Sequence, residues 1–167
     1  MKARNIIFPI WFLWLLPPVI ILVVVGNFLL DSLVLVAVYT LAGVPRITNQ
    51  SLKTLYKSSI LKVVLFGFVA DLVGVITLLA VTGLPLSIPP SLVSAVNLNP
   101  FTNVGAFLTV LGAIILSALC IYALNYFFTF KRIVAEKVTR TKLSATLAVI
   151  TAPWTFLLPT SWFYPGM

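Results

Sequence analysis

An all-α fold, a polytopic bundle of transmembrane helices forming one domain over residues 1–167, is predicted by three observations. The chain is 61% hydrophobic and 8% charged, with a mean hydropathy of +1.16, well outside the range of soluble domains. Its apolar runs are long enough for spans of about 20 residues. Its cations gather in the short stretches between those runs, as topology signals do. Five spans are expected, at about 6–25, 28–44, 61–83, 104–130 and 143–160.

The run from Ile6 to Val44 holds a single charge, Asp31, and is too long for one ordinary span. Gly26-Asn27 near its middle predicts a tight turn, which divides it into two helices. Pro9, Pro17 and Pro18 predict kinks in the first. The alternative has four spans, with Pro17–Gly43 a single tilted helix behind an interfacial N-terminal one.

Pro45–Ser59, carrying Arg46, Lys53 and Lys57, reads as a short connector to the third helix, which ends at Gly83 and Pro85. Leu84–Asn103 is proline-rich and uncharged, and is expected to lie on the outer membrane surface or dip into it. The fourth helix presents Gly105, Thr109, Gly112 and Ala113 as a small face for close packing. The last run, Leu143–Leu158, forms the fifth helix with Pro153 inside it. Trp162, Phe163 and Tyr164 follow as an interfacial aromatic anchor.

Five spans with a cytoplasmic N-terminus place all eleven Lys and Arg on the cytoplasmic side and the C-terminus outside. That asymmetry suits a multi-pass protein of a plasma (inner) membrane. The net charge of +8 is accordingly read as facing an anionic leaflet, so lipid is an expected partner and nucleic acid is not. The cluster Lys131, Arg132, Lys137, Arg140 and Lys142 is the candidate contact with lipid headgroups. Cys120 stands alone and His is absent, which excludes an intrachain disulfide and removes the usual metal and haem ligands. With Asp31, Asp71 and Glu136 the only acids, no metal, cofactor or enzymatic activity is expected.

Two of those acids lie deep in apolar runs. Gly67, Ala70, Asp71, Gly74 and Thr77 recur at helical spacing and give one helix a small, polar stripe, while Asp31 follows Asn27 by one turn on another helix. A charged Asp at the bilayer centre costs roughly 2.5–3.5 kcal/mol on insertion scales, so an acid retained there is a functional candidate. Asp31, Asp71, Asn27 and Thr77 therefore form the candidate ion- or substrate-binding set. The structural alternative is that the carboxyls stay protonated and merely fix helix packing.

Gly26-Asn27 with Asp31, and later Asn125, Thr129 and Phe130 followed by Lys131-Arg132, resemble the Gly-Asn-x-x-x-Asp and Asn-x-x-x-Thr-Phe-basic patterns of the small GtrA-like membrane proteins. That resemblance implies a role in moving polyprenyl-phosphate-linked sugars across a membrane, and adds to a transport class. The expected function is thus a small transport or translocation component that uses buried carboxylates for a proton, a cation or a cationic substrate. The alternative is a non-catalytic subunit that stabilises or recruits a larger membrane complex. Either reading allows a homo-oligomer or a partner membrane subunit.

Overall fold

The structure, a computed structural model, describes residues 9–13, 19–84 and 88–163. Helices account for its regular structure, with no strand among the described residues. In chain order they are α1 (Ile10–Leu13), α2 (Val19–Leu41), α3 (Val44–Thr48), α4 (Leu52–Gly83), α5 (Pro90–Leu98), α6 (Val104–Leu124) and α7 (Lys137–Thr151), with short 3-10 turns at Pro100–Thr102, Phe130–Arg132, Trp154–Leu157 and Thr160–Trp162. A π-helical turn, Asn125–Thr129, continues α6.

Three helices, not five, are long and apolar enough to cross a membrane among the described residues: Ile20–Leu41, Leu52–Gly83 and Val104–Arg132. Their outward faces are Leu, Ile, Val and Phe, with Leu22 75%, Leu33 69%, Leu61 78% and Leu119 59% exposed, which is the pattern of a protein whose surroundings are apolar. The chain is a membrane protein by these helices.

The predicted turn at Gly26-Asn27 is absent. One helix runs straight through both residues, as the four-span alternative has it. A glycine inside a helix costs only about 1 kcal/mol against alanine, whereas a turn in that position would expose backbone N–H and C=O groups to hydrocarbon. The Pro45–Ser59 connector is mostly helical as well: α3 spans it in part, and Ser51 opens α4 by accepting from the Thr54 N–H at 3.2 Å. Lys2, Arg4, Pro17, Pro18, Pro85 and Tyr164 lie outside the described residues.

The fifth expected span is two separate pieces. α7 begins earlier, at Lys137, and stops at Thr151, because Pro153 has no N–H for the Val149 carbonyl one turn behind it. The indole Nε1 of Trp154 donates to that carbonyl instead, at 2.8 Å. Pro153 itself (φ −75°, ψ 62°) makes an inverse γ-turn closed by the Trp154 N–H on the Ala152 carbonyl at 2.7 Å. With 15 residues, α7 is only about 22 Å long and falls short of the roughly 30 Å hydrocarbon core.

α2, α4, α6 and α7 form a ring in which each helix packs on the next and α7 closes on α2. Neighbours run antiparallel. Between α2 and α4, Tyr39 meets Ser59 at one end, the Asp31 carboxylate lies over Gly67 in the middle, and Asn27 meets Asp71 beyond it. Each step of four residues up one helix is matched by four down the other, a ridge-to-ridge register. Leu35 and Val63 fall within the same series and are buried in the same core cluster.

Between α4 and α6, Gly74 is the closest approach. A Cβ there would overlap Ser117 and come within 2.8 Å of Phe156. Gly112, expected on the same small face, has nothing within 4 Å of its Cβ position and plays no part in that contact. Within the Leu84–Asn103 connection, the described residues 88–103 fold as α5 and a 3-10 turn over one end of the ring, with Ala95 and Val96 buried. Asn99 and Asn103 serve there as caps, accepting from the Phe101 and Ala106 N–H groups.

Candidate functional site

α7 fills only part of its quarter of the ring. Where it stops, the chain crosses over as the Trp154–Leu157 turn, and a cavity of about 510 Å³ is left between that turn and the middle of α2 and α4. Val23, Gly26, Asn27 and Leu30 of α2 line one side, and residues from Ile150 to Phe156 line the other. Asp71 of α4 lies at one limit, Ile10 and Phe163 at another.

Asn27 and Asp71 are brought together: the amide Nδ2 donates to Asp71 Oδ2 at 3.4 Å. The bond is long, and it serves one carboxylate oxygen only. Asp71 Oδ1 is buried without a hydrogen-bond partner among the described residues. A buried polar atom left unpaired costs about 1–3 kcal/mol, so this oxygen is an unsatisfied acceptor in a residue that borders an apolar cavity. The C-terminal end of α7, through Ile150, Thr151 and Ala152, borders the same cavity, and a helix C-terminus carries a partial negative charge. Carboxylate and helix end together favour a positive occupant.

Asp31 is one turn from Asn27, about 5–6 Å along the interface. It is 4% exposed, with Oδ2 3.4 Å from the Cβ position of Gly67, and it does not line the cavity. The two carboxyls therefore share an interface and not a chamber. Thr77 is placed elsewhere: its hydroxyl donates to the Val73 carbonyl of its own helix at 2.8 Å, and it neither lines the cavity nor bonds an acid. The helical stripe that grouped it with Asp71 ignored the drift of 100° per residue over a step of six.

The basic cluster divides. Lys131, Arg132, Lys137 and Lys142 are exposed, while Arg140 is 8% exposed and turned inward. Its guanidinium donates to the Tyr126 hydroxyl at 3.0 Å and lies over the Tyr126 ring, 4.2 Å from the centroid. Arg140 is thus a packing residue of the α6–α7 contact, and only the other four remain exposed. Asn125 is fully buried, donating to the Ile121 carbonyl and accepting from Thr129, so it repairs the π-turn and leaves no polar path.

The cavity wall from Ile150 to Phe156 was not foreseen as part of a site. Its signal was Pro153, a helix stop inside an apolar run. The ends of the chain also differ from the five-span layout: the Ile10 N–H donates to Thr160 Oγ1 at 2.8 Å, so these two residues share one end of the bundle instead of lying on opposite sides. Arg46, Lys53, Lys57 and Lys131–Lys142 occupy the other end. No protein family, curated protein or solved structure matches the chain.

Proposed function

We propose that this membrane protein is a small transport or translocation component that takes up a positive charge at Asp71, as a proton, a cation or the cationic part of a solute. The observation that carries the reading is the unpaired, buried Oδ1 of Asp71 at the border of a cavity large enough for a small molecule. Asn27 holds the other oxygen and fixes the carboxyl's orientation. The end of the bundle bearing Arg46, Lys53, Lys57 and the four exposed cations of the Lys131–Lys142 segment faces the cytoplasm of a plasma membrane, where it meets anionic lipid.

Flux into proteoliposomes tests this. With a pH-sensitive dye inside or labelled sodium outside, the wild-type chain should carry cation inward, and Asp71→Asn should lower the rate at least tenfold with no loss of thermal stability. Equal flux in both would remove the reading.

A second reading, a non-catalytic subunit of a larger membrane complex, is favoured by Asp31, whose carboxyl is enclosed against Gly67 and does not line the cavity beside Asp71. Purification in mild detergent separates the two. A stoichiometric partner lost with Asp31→Leu supports the subunit, and an active homo-oligomer excludes it.

A further inference from the structure

The cavity beside Asp71 is large for the charge it offers. A dehydrated metal ion needs several oxygens around it, about 6–8 for calcium and six for magnesium. Here one carboxylate, one side-chain amide and the Thr155 hydroxyl line the space, the Thr151 hydroxyl being engaged with the Leu147 carbonyl at 2.9 Å, too few oxygens for such a shell. No group of three His, Cys, Asp or Glu exists among the described residues. The remaining walls are aliphatic and aromatic, with Val23, Leu30, Ile150, Trp154 and Phe156 around about 510 Å³, within the size range of small-molecule sites of roughly 300–1,000 Å³. The unsatisfied group is an acceptor that asks for an N–H or O–H donor, and the walls ask for hydrocarbon.

We propose that the cavity binds an organic ammonium ion, primary or secondary, with its N–H on the Asp71 carboxylate and its apolar body against Trp154 and Phe156. The proposal rests on the reading of Asp71 as a cation site and names the class of cation. A primary ammonium supplies charge and donor together, satisfies the carboxylate, and replaces cavity with packed hydrocarbon. The aromatic walls add favourable contact with the positive head. Gly26 gives an independent handle, since it lines the cavity and has nothing within 4 Å of its Cβ position. A larger side chain placed there enters the cavity without displacing protein.

The test uses the full chain in nanodiscs of neutral lipid, titrated at pH 7 with 4-phenylbutylamine in its ammonium form and followed by calorimetry and tryptophan fluorescence. Saturable binding is expected, at least tenfold tighter than that of 4-phenylbutanol. Asp71→Asn should weaken it at least tenfold, whereas Glu136→Gln, which removes the same charge from an exposed position, should leave it unchanged. Gly26→Leu should abolish ammonium binding while proton or sodium flux persists. Equal binding of amine and alcohol, or ammonium binding untouched by both Asp71→Asn and Gly26→Leu, overturns the proposal. Flux lost with Asp71→Asn but no ammonium binding in the wild type also overturns it, and leaves the cation site standing for a bare ion. Neither flux nor binding removes both.

Discussion

Tyr39 shows how tightly single polar groups are fixed inside this bundle. It is fully buried, and its hydroxyl lies 2.5 Å from Ser59 Oγ, which itself donates to the Leu55 carbonyl at 2.7 Å. Ser59 has its own hydrogen committed, so the tyrosine donates. Tyr39→Phe should cost about 0.5–1.5 kcal/mol, read as a lower midpoint of thermal unfolding in detergent, with Ser59 still held by Leu55. Arg140→Gln should destabilise by about 1–2 kcal/mol, because it removes both the ring contact and the bond to Tyr126. Lys142→Gln, two residues along in the same cluster but exposed, should change stability by less than about 0.5 kcal/mol. Asp71 was legible in the sequence as a candidate because a carboxyl deep in an apolar run is conspicuous on its own. The Arg140–Tyr126 pair was not, since fourteen residues and a change of helix separate its members and either residue looks ordinary alone.

Among the elements, the contact of α4 with α6 depends on one missing side chain. Gly74→Leu should drive the helices apart and lower stability by several kcal/mol or prevent folding, while Gly112→Leu, on the open side of α6, should be tolerated. Paired melting curves in one detergent distinguish these outcomes. Both glycines sit in apolar runs at spacings that suit packing, and only the partner's position tells them apart. The long helices were legible from hydropathy; the join at Gly26-Asn27 and the division of the last run were not. In the first case the bilayer's demand for paired backbone groups outweighs a local turn preference. In the second, Pro153 does what a proline ordinarily does, and the indole of Trp154 covers the carbonyl it leaves open.

Across the described residues, helices alternating in direction place Ile10 and Thr160 at one end and Arg46, Lys53, Lys57 and Lys131–Lys142 at the other. In a Cys120→Ala background, single cysteines at Lys57 and Lys137 should be labelled by a membrane-impermeant reagent from one side of the membrane, and those at Pro89 and Ser161 from the other. Labelling of Pro89 and Ser161 from opposite sides would break the arrangement in which Ile10 and Thr160 meet. The five-span layout satisfied every cation, and charge bookkeeping alone could not see that Ile10 bonds to the far end of the chain.

The shortness of α7 has a directional outcome. Its full turns, packed on α2 and α6, seal the half of the bundle nearest the lysines and arginines, and the space beside Asp71 extends the other way, toward Ile10 and Phe163. On the proposed reading, the cation at that carboxylate approaches from the side of Ile10 and Phe163.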